Sequence, residues 1–521
     1  MRLTFIAALP LALAVPSTST AQPQSGPDAV CRAPDPELEP SRRLRALSLD
    51  LTGVTPGEAD YQRLADGESL ESLVDEMLAS QDFIQRVVRS HRALLLNNVD
   101  NVGLTNFRTS FTRDRATEIY WRRGAAQTYR GQQVRCLDEP ARFGPEGEIL
   151  TTTEAEARRE GWVMVSPYWD PQSSIKVCAF DAQTAEVSPR GNACGSSDGL
   201  RDAGCGCGEN LNRCRYGSNI IINRSFAEDV NRRVAAVIEQ GLPYSALFTS
   251  RTAFVNGPIL HFYRHQAGLS AGVSLLPLSV DLERMPDIPF TEADTWVEVT
   301  LPEHHAGVLT SPAFLLRFQT NRARASRFYD TFLCQPFSAP DGGLPVVDPD
   351  VLPEPDLQKR DGCAYCHALL EPAASHWGRW TEQGAGFLDP EAFPSYREEC
   401  RECGLTGRGC SRTCRSFYVD RATLPAEEPF LGYLDVFMFL RDQHLGNVDL
   451  GPAHLVESSI VDDRFPICTA RRLMESLFGR SLFPEENERI DDLTLDFVAS
   501  DLDYKALVKA VVLSDVYGRL H

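Results

Sequence analysis

The sequence predicts a mainly α-helical protein of several segments, with short β pieces and cysteine-rich loop insertions. Three observations predict this class. Apolar residues recur at helical spacing near both ends and in the middle of the chain. Two stretches rich in arginine, glycine and cysteine interrupt that pattern. The composition, 43% hydrophobic and 24% charged over 521 residues, is globular and allows about three folding units.

The first 21 residues have the pattern of a secretory signal. Arg2 gives a positive start, a mostly apolar run covers Leu3 to Val15, and small residues precede the expected cleavage after Ala21. The run is too short for a bilayer-spanning helix, and a buried N-terminal helix is the alternative. We expect an exported protein of the periplasm or cell envelope, where disulfides persist.

Local patterns predict where helices and a strand begin and end in the rest of the chain. Thr55, Pro56 and Glu58 form a capping-box start, and Ser80 has the position of a cap for the next helix. A helical pattern over 226–238 precedes Gly241, which suits a left-handed cap. Residues 296–299 suit a strand, and 313–333 suit one helix that ends at Cys334.

These features divide the chain into seven parts. They are a signal peptide over 1–21, a flexible leader over 22–40, an N-terminal helical segment over 41–97, a cysteine-rich insertion over 98–222, a central helical segment over 223–334, a segment with a second cysteine-rich insertion over 335–460 and a C-terminal helical segment over 461–521. The proline-rich stretch 335–357 reads as a linker or loop.

The net charge limits the class of partner. Asp and Glu number 72 against 52 Lys and Arg, which gives a formal charge of −20. Nucleic acids and anionic membranes bind cationic surfaces, so we expect neither as a general partner. An acidic surface favours a partner with a cationic patch and weak, salt-sensitive docking.

The residues with the clearest chemistry are Cys363, Cys366 and His367, in the order C-A-Y-C-H. Two thiols three residues apart lie on one helical turn, so both can add to the vinyl groups of one haem. The following imidazole then lies under the iron as the proximal ligand. The sequence therefore predicts a c-type haem-binding helix and one covalent haem c. A disulfide loop, a thioredoxin-like redox pair and a zinc site with two further ligands are the alternatives.

The sequence does not decide which residue is the sixth ligand of the iron. Met438 lies in an apolar run and suits a buried thioether ligand, although a methionine there can equally be core packing. His376 is an alternative only if the chain turns back after His367. Met474, His444 and His454 are weaker, and a five-coordinate iron is a further alternative. Trp377 and Trp380 are either walls of the haem or core aromatics.

The remaining cysteines and histidines have simpler interpretations. Cys400, Cys403, Cys410 and Cys414 are spaced closely enough for a zinc or iron–sulfur cage, but two disulfides are simpler in an exported chain. An odd cysteine remains, with Cys31, Cys334 and Cys468 as the isolated candidates. The neighbouring His304 and His305 suit a surface or turn pair, and His261 with His265 is a weak metal pattern.

The chain resembles the planctomycete-type c cytochrome family, exported multi-segment proteins of unknown function. The likeness covers about 41–97 and 223–521. It is carried by Arg45 to Gly53 with Leu73 to Ser80, by Pro243-Tyr244 with Phe254 to Leu260 and Tyr263, by His305 to Leu315 with Cys363 to His367, and by Arg471 to Leu473 with Gly479-Arg480 and Leu507 to Ser514. The resemblance implies export and haem binding but no substrate, and it assigns roles only to Cys363, Cys366 and His367.

The chain departs from the family pattern in two ways. The family's acidic residue and glycine before an aromatic are replaced by Glu371 to Trp377, and the insertions at 98–222 and 395–416 are additional. The expected function is one-electron transfer, or redox sensing, with an unknown redox protein or envelope component as partner. The alternatives are an envelope binding or scaffold protein with a structural haem, and a peroxidase-like haem enzyme.

Overall fold

The computed structural model describes residues 37–216, 219–270, 272–338, 343, 354, 356–436 and 442–519. This part of the chain is mostly helical, with small β-sheets and six disulfides, as the sequence predicts. The signal peptide, most of the leader and Cys31 lie outside the described residues, as does most of the linker.

The N-terminal helices form where the apolar period predicts them. They are α1 (Pro40–Leu51), α2 (Glu58–Ala65), α3 (Leu70–Ala79) and α4 (Gln81–Leu95). The predicted cap at Ser80 is confirmed, because its hydroxyl accepts a hydrogen bond from the Phe83 amide. The cap predicted at Thr55 is wrong. The α2 helix begins at Glu58, where the Asp60 carboxylate accepts from the Gly57 amide at 2.9 Å.

The first cysteine-rich insertion holds most of the β structure. Its elements are β1 (Thr112–Arg113), β2 (Ile119–Trp121), α5 (Ala126–Arg130), β3 (Thr152–Glu154), β4 (Ala157–Arg159), β5 (Trp162–Val165) and β6 (Ile175–Cys178). One sheet has the order β1-β2-β6-β5, in which β2 and β6 are parallel, and β3 pairs with β4. The disulfides Cys136–Cys178, Cys194–Cys205 and Cys207–Cys214 all close within this insertion.

The central segment returns to helices. Its elements are α6 (Ile220–Glu239), α7 (Ala246–Thr249), β7 (Thr252–Val255), α8 (Gly257–His261), β8 (Val297–Thr300), α9 (Pro312–Arg317) and α10 (Asn321–Phe332), and a π-helix follows α8 over Phe262–Gln266. Gly241 has φ +61°, as its predicted role requires. The single helix predicted over 313–333 is wrong: the Thr320 side chain caps α10 and separates it from α9.

The remaining helices extend from the C-A-Y-C-H motif to the C-terminus. They are α11 (Ala364–Ala374), α12 (Glu398–Thr406), α13 (Arg412–Phe417), α14 (Asp442–Val461), α15 (Arg464–Phe478), α16 (Asn487–Ala499) and α17 (Tyr504–Leu513). The α14 helix breaks at Gly451, where φ is +72° and Pro452 follows. One large core joins buried residues from α1 through α17, so α11 begins on the edge of this core and ends inside it.

None of the described helices is long and apolar enough to cross a membrane. The six disulfides fit an oxidising compartment outside the cytoplasm.

Candidate functional site

The C-A-Y-C-H motif opens α11. Gly362 has φ +75°, and Cys363 follows it as the first residue of the helical turn. The amides of Cys366 and His367 both donate to the Cys363 carbonyl, at 3.2 and 3.0 Å. The three side chains predicted to hold a haem therefore leave one turn at the beginning of a helix, as the spacing requires.

Cys363 and Cys366 are the free cysteines of the described chain. All other described cysteines form disulfides, but these two do not pair with each other although they lie one turn apart. Both thiols are half-buried, and the Cys366 Sγ lies 3.7 Å from the Ser338 carbonyl oxygen. A pair of unpaired thiols in a chain with six disulfides is available for covalent attachment.

The imidazole of His367 has a defined orientation. Its Nδ1 lies 2.5 Å from the Oε1 atom of Glu371, one helical turn further on. A carboxylate only accepts hydrogen bonds, so Nδ1 carries the proton and donates. In the neutral ring, Nε2 then carries the lone pair, which is the form a metal needs. The side chain of His367 is 22% exposed, whereas that of Glu371 is 6% exposed.

A second element holds the same carboxylate. Arg322, in the first turn of α10, donates from Nε to Glu371 Oε1 at 2.7 Å. The sequence motif does not include these two residues. The His367–Glu371 spacing of i, i+4 is a signal that could have identified Glu371, because such residues share a helix face. Nothing in the sequence pattern indicates Arg322, which is 49 positions before Glu371.

Two large apolar side chains of the first turns of α11 are exposed. Tyr365 is 68% exposed and Leu369 is 42% exposed, while none of residues 363–369 is buried. From Leu370 onward α11 is largely buried and packs against α10 and α14.

The donor set fits a c-type haem. It offers two unpaired thiols on one turn, an imidazole with a free Nε2 and an apolar helix surface beside them. Cys363 and Cys366 would hold the porphyrin by thioether bonds, and His367 would be the proximal ligand. Each of these requirements comes from the chemistry of the side chains, and the residues meet all three.

His376 lies away from this turn. The helix α11 runs without reversal into a 3-10 turn, Ser375–Trp377, so the condition on which His376 could serve as sixth ligand is not met. At about 1.5 Å per residue, nine residues place His376 about 13 Å along the axis from His367. Its Nδ1 donates to the Gly451 carbonyl at 2.8 Å, and burial lowers the pKa of His376 to about 4.

Of the two methionines considered as sixth ligand, one lies outside the described residues and the other lies in the core. Met438 lies outside the described residues, so its role as sixth ligand stays a prediction. Met474 is buried in the main core. Trp377 and Trp380 are also members of that core, and Trp377 donates to the Leu309 carbonyl at 3.0 Å.

The second cysteine cluster is a pair of disulfides. Cys400 bonds to Cys414 and Cys403 to Cys410, which confirms the simpler interpretation and leaves these sulfurs without thiolates for a metal cage. Cys334 and Cys468 were candidates for the odd cysteine, and this is wrong for both because they bond to each other. Cys334 and Cys468 lie next to each other where α10 packs against α15.

One histidine of each pair is buried in the protein interior. His305 was expected at the surface or in a turn, but it is buried, and its ring nitrogens lie near the Thr310 hydroxyl and the Ser279 carbonyl. His261 stacks on Tyr168 with ring centroids 3.8 Å apart. Burial lowers the pKa of both His261 and His305 to about 3. Both imidazoles are therefore neutral parts of the protein interior.

Comparisons with family models, with curated proteins and with solved structures found no match to this chain. The resemblance to planctomycete-type c cytochromes accordingly stays a prediction from the quoted residues.

Proposed function

We propose that this chain is an exported mono-haem c-type cytochrome-like protein that transfers single electrons in the cell envelope. The observation that carries the proposal is the first turn of α11. There Cys363 and Cys366 are unpaired in a chain of disulfides, and His367 directs its protonated Nδ1 to a carboxylate. The bound haem would supply an iron that alternates between two oxidation states.

The chain's own residues would attach and orient this group. The Sγ atoms of Cys363 and Cys366 would each add across one vinyl group, giving two thioether bonds and consuming no other oxidant or reductant. The Nδ1–H···Oε1 contact fixes the tautomer of His367 and the plane of its ring. The exposed side chains of Tyr365 and Leu369 would contact the porphyrin edge or the docking partner.

The carboxylate next to His367 favours a second candidate, a haem enzyme of the peroxidase class. A charged acceptor makes the imidazole a stronger donor to iron, which stabilises the oxidised metal. High-spin iron that reacts with peroxide would support this candidate. A low-spin reduced spectrum with a second axial ligand supports electron transfer.

The test is a pyridine haemochrome spectrum of the full chain, made in a host competent for c-type maturation. We expect the band position of a haem with two thioether bonds. The C363A and C366A variants should each shift the band to longer wavelength, because one vinyl group is then retained. The C403A/C410A double variant is the control, since it removes two other cysteines and should keep the wild-type band. Wild-type protein without covalent porphyrin would contradict the proposal.

A further inference from the structure

Glu371 is a buried carboxylate with two partners on one oxygen. Its Oε1 accepts from His367 Nδ1 at 2.5 Å and from Arg322 Nε at 2.7 Å. Only 4% of Glu371 is exposed, so water screens its contact with His367 weakly, whereas the side chain of Arg322 is 47% exposed and its contact is screened more. Arg322, Glu371 and His367 therefore form a hydrogen-bonded network, in which the carboxylate of Glu371 contacts both the guanidinium and the imidazole.

The surrounding helices hold this carboxylate in place. Glu371 lies in the buried half of α11. The backbone carbonyl of the next residue, Pro372, accepts a hydrogen bond from the side chain of Asn447 at 2.9 Å. Arg322 approaches from α10, which packs along α11. Glu371 therefore has the fixed position that a group acting through His367 needs.

We propose that Glu371 is a positioning residue, which lowers the reduction potential of the haem iron through its hydrogen bond with His367. Arg322 limits this effect. This inference rests on the proposed function. The hydrogen bond gives the imidazole more negative character, and a stronger donor stabilises ferric over ferrous iron. Arg322 shares the same oxygen and draws part of its charge away from His367.

The two partners should therefore shift the potential in opposite directions. In potentiometric titrations of the haem-loaded full chain, E371Q should raise the midpoint potential, because the anion is lost. R322M should lower it, because the whole carboxylate charge then acts on His367. A residue that only supports the fold would shift the potential in the same direction when either partner is removed.

A matched control separates the effect of Glu371 on the reduction potential from the general effect of losing a buried ion pair. Glu486 is also buried and pairs with an arginine, Arg480, at 2.7 Å on another helix segment. We expect E486Q to lower thermal stability and to leave the potential unchanged. An equal shift of potential in E486Q and E371Q would overturn the inference.

E371D distinguishes the hydrogen bond from simple charge. Aspartate keeps the charge but is one methylene shorter, so the contact with His367 Nδ1 weakens. We expect E371D to raise the potential part of the way toward E371Q and to change the EPR g-values of the oxidised iron in the same order. A wild-type potential in E371D would overturn the role of the hydrogen bond.

The outcomes also separate this inference from the proposed function. Wild-type protein without covalent haem overturns both. Covalent haem with an unchanged potential in E371Q and R322M overturns only the role of Glu371. Covalent haem with opposite shifts in these two variants supports both.

Discussion

His91 is a fully buried histidine whose two ring nitrogens are both engaged. Nδ1 lies 2.8 Å from the Val87 carbonyl, which only accepts, so Nδ1 donates. Nε2 then accepts from the Tyr244 hydroxyl at 2.8 Å. This form of the ring is neutral, and burial, which disfavours the charged form, lowers the pKa of His91 to about 4.

The first prediction is a loss of stability in mild acid. The unfolded chain binds the proton near pH 6.5 and the folded chain only near pH 4, so the contribution of His91 is complete above pH 6.5. It is lost as the pH falls toward 4, by about 1.4 kcal/mol per pH unit. Urea unfolding at a series of pH values measures this slope.

The variant H91Q isolates the contribution. It should be less stable at pH 7 by about 1–3 kcal/mol because Tyr244 loses its partner, and its unfolding free energy should depend less on pH below 6.5. His454 has a side chain that is 43% exposed, so H454Q serves as control and should keep the wild-type slope. Equal slopes in H91Q and wild type would show that His91 does not titrate as described.

At the scale of elements, one disulfide closes a long loop that contains the C-A-Y-C-H motif. Cys334 follows α10 and Cys468 lies in α15, 134 positions further along the chain. In the chain-entropy model a loop of this length contributes about 5 kcal/mol, against about 2 kcal/mol for a loop of about seven residues. The disulfide therefore lowers the conformational entropy of the unfolded chain between α10 and α15.

The second prediction compares the two loop lengths. The C334A/C468A variant should lose more unfolding free energy than C403A/C410A, whose cysteines are seven positions apart. Both variants should keep covalent haem. Denaturant unfolding measures the difference, and a larger loss in C403A/C410A would contradict the loop-length argument.

A buried charge network stabilises the first cysteine-rich insertion. Arg122 Nε donates to Asp181 Oδ1 at 3.0 Å, and Arg130 contacts both Asp181 and Glu160. All four side chains are almost fully buried. Removing one anion leaves two buried arginines with too few partners.

The third prediction concerns this network. D181N should destabilise the insertion by about 3–5 kcal/mol, because uncompensated buried charge is costly. Limited proteolysis should then cut within 98–222 while the haem content remains. Asp198 pairs with Arg412 at the surface, so D198N should change stability by less than about 0.5 kcal/mol. Protease resistance of D181N equal to that of wild type would contradict the role of the network.

The sequence predicted the elements where local signals decide the structure. Ser80 was identified as a cap because its position before an apolar period leaves few alternatives. The break between α9 and α10 was missed, since the apolar period continues across it and only the cap at Thr320 reveals it. Spacing predicts Cys363, Cys366 and His367 as a candidate site, whereas Arg322 reaches Glu371 beside it through packing of α10 on α11, which no local pattern records.

At the scale of the whole molecule, one core and one sign of charge dominate. The core joins Leu47 of α1, Phe226 of α6, Trp377 beside α11 and Val508 of α17. The formal charge of the full sequence is −20. An acidic protein attracts cationic partners, and the salt concentration sets the distance over which this attraction acts.

The fourth prediction follows from that charge. Electron exchange of the haem-loaded protein with a small cationic reagent should slow several-fold from about 0.01 M to about 0.15 M salt, since the Debye length shortens from about 30 Å to about 8 Å. An anionic reagent of similar potential is the control and should become faster over the same range. Stopped-flow absorbance measures both rates. Rates that do not depend on salt would contradict electrostatic steering at the haem surface.

The most direct test of the whole account is the intact mass of the purified full chain after acid–acetone extraction. We predict that the mass exceeds that of the processed polypeptide by one haem, and that the C363A/C366A variant has the polypeptide mass alone. A wild-type mass without haem, after maturation in a competent host, would contradict the account.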